Sequence, residues 1–200
     1  MSLNVFDLVV LLVLIAGILC GRKRGMSAEL LSLLQWIAIL IGCGLLYRPL
    51  GSMFASSSRL LSLLTCYLLA YAVAAMVIVS LFGLVKKGLG GKLLGSDMFG
   101  GSEYYLGMGA GLLRFGCILL VVLAIINARG YDAAEVRAME LYQQKEYGST
   151  YFPTLHTVQA TVFEKSMSGP WIRDHLGFLL ITPTKPENKE IKRKEFTLPD

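Results

Sequence analysis

The chain has 200 residues, of which 54% are hydrophobic and only 16% charged, with a formal net charge of +5; its mean hydropathy is +0.59 and its pI about 9.0. Soluble domains carry roughly 25% charged residues, so this composition excludes a disordered chain and an ordinary water-soluble one. The basic pI is not a nucleic-acid footprint either. Residues 128–200 hold equal numbers of basic and acidic side chains, and the surplus lies in the apolar front part.

Crossing a bilayer takes about 20 helical residues, and four stretches have that length: 3–20, 27–47, 60–85 and 105–127. The first resembles a signal peptide in its apolar run from Val9 to Leu19. Its leading residues carry no cation, RKR follows the run, and no A-x-A site is present, so it is expected to stay as an anchored helix. The chain therefore predicts an all-α integral membrane protein: a four-span membrane domain over 1–127, an amphipathic helical tail over 128–181 and a disordered extension over 182–200.

Arg22, Lys23 and Arg24 lie between the first two stretches, and Lys86, Lys87 and Lys92 between the last two. Arg48, Arg59, Arg129 and Arg137 fall on the opposite side. The positive-inside rule then puts the first group in the cytoplasm and both termini outside it. The connection over 85–104 is glycine-rich with interspersed lysines, but it lacks G-x-x-x-x-G-K-[ST] and a preceding strand. It reads as a flexible loop with a short re-entrant or interfacial turn at Leu93 and Leu94.

In the tail, Leu155, Val158, Val162 and Phe163 keep helical spacing, as do Ile172, Leu176, Leu179 and Leu180 after Pro170. Such segments suit the membrane surface, the bundle or a partner. From Thr182 onward, two close prolines and alternating charge predict an extension without its own core.

Chemistry-bearing residues are sparse. Cys20, Cys43, Cys66 and Cys117 sit in apolar stretches without a C-x-x-C, and read as small buried hydrophobes. His156 and His175 lack metal-ligand spacing. Neither a hydrolytic constellation nor a cofactor motif emerges, so the expectation is a non-enzymatic protein with no catalytic, metal or cofactor site.

Polar groups in or at the ends of the apolar stretches include Asp7, Gln35, Thr65, Glu103 and Arg114, and ionisable groups at such depth serve function or assembly. Glu103, Gly107, Gly111 and Arg114 fall at i, i+4, i+8 and i+11 on one helical face. In the first helix Gly17, Gly21 and Gly25 repeat every four residues, and Asp7 comes round to the angle of Gly25 after five turns. Small residues at this spacing let helices approach closely in lipid. Both faces are expected to form a seam, within one chain or between copies, with Asp7, Glu103 and Arg114 as its polar elements.

The opening FDLVVLLV…RKRGMSAELLSLLQW, with Asp7, Arg24, Gly25, Glu29 and Trp36, and the later SEYYLGMGAGLLRFG, with Glu103, Gly107, Gly111 and Arg114, resemble the colicin V production protein (CvpA) family. The resemblance covers about residues 1–165. Glu103 stands where the family usually shows Asp, and Phe115 where it shows Gly. Membership implies a four-span bacterial inner-membrane protein needed for production or export of the toxin colicin V, or an envelope-related role where no toxin is made. The expected partners are the lipid bilayer, further copies of the chain or other envelope membrane proteins, and no nucleic acid. The alternative is a channel or transporter subunit, which needs a continuous polar path.

Overall fold

The computed structural model describes residues 4–57, 61–94, 100–148 and 154–185. The described residues are mostly helical, joined by short connections, and carry no strand beyond one isolated bridge between Arg129 and Thr184. In chain order they form α1 (Val5–Ser57), α2 (Leu63–Leu94), α3 (Glu103–Asn127), α4 (Ala133–Tyr147), α5 (Leu155–Phe163) and α6 (Ser168–Leu176). Three helices are long and apolar enough to cross a membrane: α1, α2 and α3.

Within α1, Gly25 has φ 74° and ψ 167°, a region that essentially only glycine occupies. It divides α1 into two arms, residues 5–24 and 26–57. The contacts of each arm with α3 give their directions. On the first arm, Gly17 meets Gly111, Gly21 meets Gly107 and Gly25 meets Glu103, so one number falls as the other rises. On the second arm, Glu29 meets Arg114, and Ile39 and Cys43 share a cluster with Leu123 and Ala124, so both rise together. The chain therefore turns back at Gly25, with the first arm antiparallel to α3 and the second parallel to it.

Helix α2 packs antiparallel against the second arm, Gly51 lying on Tyr67, Gly42 on Ile78, and Lys86 on Ser32 and Gln35. Two sequence boundaries need correction. The second stretch does not end at Tyr47; the helix continues through Pro49 to Ser57. Proline forfeits one helical hydrogen bond, but Tyr47 is locked in the core on one side and Gly51 against the Tyr67 ring on the other. Nor is the 85–104 connection a loop at its start, because α2 runs on to Leu94 and takes in the expected turn at Leu93 and Leu94. Glycine costs a helix only about 1 kcal/mol, no proline intervenes, and Lys86 anchors the segment by a 2.7 Å bond to Gln35 Oε1.

The core lies at the end of the bundle where α3 finishes. Ile39, Cys43 and Tyr47 of α1, Tyr71 and Ala74 of α2, and Leu123 and Ala124 of α3 meet Val162, Phe163, Ile172, Leu180 and Ile181 of the tail. Helices α5 and α6 thus pack on the bundle. The extension expected from Thr182 is held at its beginning: Thr182 Oγ1 meets Tyr47 Oη at 2.9 Å, and Thr184 N donates to the Ala128 carbonyl at 2.9 Å. Residues 186–200 of that extension lie outside the described residues. The flanks expose Leu8, Leu11, Leu12, Ile15 and Leu19 on α1, Met76, Leu81 and Leu84 on α2, and Leu113 and Ile125 on α3. So continuous an apolar belt is foreign to a water-facing surface.

Candidate functional site

Two glycine ridges meet where the first arm of α1 crosses α3. A Cβ built at Gly17 would lie 2.8 Å from the Gly111 carbonyl oxygen and 2.9 Å from Phe115 Cβ. One at Gly107 would lie 2.6 Å from the Gly21 carbonyl oxygen and 2.9 Å from Gly25 Cα. At Gly21 and Gly111 an added methyl would collide with the opposing backbone. The two backbones touch directly, which is the geometry small residues permit between apolar helices. Gly17 also makes room for Phe115, which is seated on its missing side chain. Both ridges belong to the same chain.

At the turn the seam becomes polar. Glu103 Oε1 accepts from the Ser27 backbone N–H at 3.3 Å, so its carboxylate sits at the start of the second arm, where helical N–H groups lack partners and negative charge is favoured. Gly25 packs on the Glu103 side chain, and a Cβ there would lie 3.0 Å from Glu103 Cγ. Arg22 covers the Tyr104 ring at 4.9 Å. These contacts fix the reversal against the beginning of α3.

One turn further on, Glu29 is fully buried and takes a 2.6 Å salt bridge from Arg114 Nη1, while Arg24 Nη1 stands 3.6 Å from its other oxygen. Arg114 is itself buried, with Nη2 3.6 Å from Cys20 Sγ and its guanidinium 5.0 Å from the Phe115 ring centre. Arg114, a cation inside an apolar stretch, balances Glu29. Three buried atoms here, Ser27 Oγ, Glu29 Oε1 and Arg114 Nε, have no hydrogen-bond partner among the described residues.

Asp7 is not part of this seam. Its carboxylate accepts from Ser168 Oγ at 2.6 Å, from the Ser168 N–H at 3.0 Å and from the Met167 N–H at 3.1 Å, and so pins the start of α6 to the start of α1. The reason is geometric. A four-residue repeat advances about 40° beyond a full turn, so the glycine ridge winds away from Asp7, which faces the tail instead. Beside α3, Gln159 Nε2 donates to the Arg129 carbonyl and to that of Ile126, a helix-end acceptor, and Asn127 Nδ2 donates to the Ile181 carbonyl. Sequence reading missed Gln159, Asn127 and Thr182. For Gln159 there was a signal, an amide set among Val158, Val162 and Phe163.

Gln35 is held by Lys86. Cys43 and Cys66 are fully buried, and the four cysteines are free. Among the described residues no group of His, Cys, Asp and Glu is disposed to hold a metal. A family model described as Colicin V production protein matches residues 6–160. The chain belongs to the colicin V production protein family. The match takes in both glycine ridges and the Glu29–Arg114 pair, whereas α6 and the Thr182 contacts lie beyond it. Neither a curated protein nor a solved structure matches the chain.

Proposed function

We propose that this colicin V production family member is a bacterial inner-membrane protein of four spans that supports toxin production or export, or envelope homeostasis where no toxin is made. The four spans are the two arms of α1, α2 and α3, and both termini face away from the cytoplasm. Its action is non-enzymatic and rests on helix–helix assembly. The observation that carries this reading is the seam itself: two glycine ridges in backbone contact, closed by the buried Glu29–Arg114 pair. Such a feature serves a fixed arrangement of helices in lipid rather than a reaction. The bilayer is its first partner, with further copies or other envelope membrane proteins as the second.

The test is complementation of a deletion strain that carries a colicin V system. Gly111→Leu should abolish toxin release and broaden the gel-filtration profile in detergent. Gly116→Leu, at a position with open space around its Cα, should retain both. Full toxin release from a Gly111→Leu protein whose assembly is visibly lost would sink the reading.

A channel or transporter subunit is the alternative, and one observation favours it: Ser27 Oγ, Glu29 Oε1 and Arg114 Nε at the Gly25 turn are buried and make no hydrogen bond among the described residues. Flux through reconstituted protein that disappears in Arg114→Lys would select that reading over a scaffold.

A further inference from the structure

Helix α6 has one apolar face too many. Ile172, Leu176 and Leu179 point inward, and Ile172 and Leu179 are buried. A second row, Met167, Trp171 and His175, falls at i, i+4 and i+8 on one side of the helix, and Phe178 follows in the 3-10 turn Gly177–Leu179. The apolar ones are among the most exposed in the tail, Met167 at 61%, Trp171 at 57% and Phe178 at 73%. The row is stiffened from within, since the His175 and Trp171 rings stack at 4.9 Å with an interplanar angle of 20°.

The position of this row on the bundle identifies what it meets. Asp7 ties the start of α6 to the first arm of α1. Met167, Ser168 and Trp171 then face Val10, Leu11 and Leu14 across an open apolar groove of about 420 Å³, with Asp7 at its polar rim. Leu11 belongs to the apolar belt that continues down the arm through Leu12, Ile15 and Leu19. The α6 row is therefore the upper continuation of the surface that faces hydrocarbon if α1 spans the bilayer. Tryptophan suits that level, with its apolar ring toward the chains and its N–H toward the headgroups.

We infer that α6 is an interfacial anchor: Met167, Trp171 and Phe178 enter the non-cytoplasmic leaflet, and the groove between α6 and the first arm takes the upper part of a phospholipid acyl chain. The inference rests on the four-span reading above. It gives the tail a second role besides covering the core, that of fixing the depth of the bundle in the bilayer.

Trp36 and Trp171 are the two tryptophans of the chain, so Trp36→Phe leaves a single reporter on α6. In vesicles of phosphatidylcholine and phosphatidylglycerol, Trp171 should be quenched at least about twofold more by bromine placed near the headgroup than by bromine near the chain ends, as expected of an interfacial tryptophan. Leu12→Trp in a Trp36→Phe/Trp171→Phe background reports mid-bilayer depth and should show the reverse order, with Ile15→Trp as a second reporter of the same kind. If the Leu12→Trp reporter is quenched and Trp171 is not, the anchor is overturned while the spanning reading stands. In that case blue-shifted Trp171 emission means a second copy or a protein partner covers the row, and water-like emission means nothing does. Stronger quenching of Trp171 by the chain-end bromines overturns the interfacial depth. Quenching of none of the reporters overturns the spanning reading as well.

Discussion

Glu29 and Arg114 hold one another in a place where neither charge is tolerable alone. Removing one partner of a buried ion pair costs about 3–5 kcal/mol, because the remaining charge is stranded, whereas replacing both with apolar side chains is often neutral or stabilising. Arg114→Met should therefore destabilise the bundle strongly, since Arg24, whose side chain is 55% exposed at 3.6 Å, is a poor substitute. The double variant Glu29→Met/Arg114→Met should recover most of the loss. Loss of helicity in mixed micelles of rising denaturing-detergent content measures it. Single variants as stable as the double would show that the pair carries no such burden. Glu103 differs in kind, because it lies at the turn and its carboxylate has the Ser27 N–H to accept from.

At the scale of elements, Gly25 decides whether residues 5–57 form one rod or a hairpin. A side chain there meets a backbone conformation costing about 1–3 kcal/mol, and the Glu103 side chain as well. Gly83, inside α2 with nothing near its Cα, has the opposite balance: alanine in a helix interior is better than glycine by roughly 0.5–1 kcal/mol. Gly25→Ala should thus lower the thermal midpoint for aggregation in detergent, and Gly83→Ala should leave it unchanged or raise it. Equal responses would remove the special status of the turn. The glycine periodicity was legible in the sequence because both ridges are local patterns, four residues apart on one helix. The pairing of Glu29 with Arg114 was not, since 85 positions separate them and only the turn at Gly25 brings the second arm alongside α3. Asp7 was misplaced for a related reason: its helical angle is a local property, but its partner Ser168 lies in a tail whose docking no local pattern announces. The continuation of the helix through Pro49 was equally hidden, because it depends on Tyr67 and the core around Tyr47.

Across the whole molecule, the direction of each element gives the two ends of the bundle different characters. The Gly25 turn, Lys86 and the start of α3 lie together at one end. Asn4, Tyr47, Asn127 and the tail lie at the other, joined by contacts such as Asn4 to Thr161 and Tyr47 to Thr182. The first end gathers Arg22, Lys23, Arg24, Lys86 and Lys87, and cations beside short connections mark the cytoplasmic side. With the four cysteines changed to alanine, Ser57→Cys and Arg137→Cys should react with an impermeant maleimide on spheroplasts. Lys23→Cys and Gly101→Cys should react only after permeabilisation; all four native positions are exposed. The reverse pattern would invert the orientation and leave the bundle intact. Labelling of positions 23 and 57 from the same side is the more damaging result, since it would mean that the second arm of α1 does not cross.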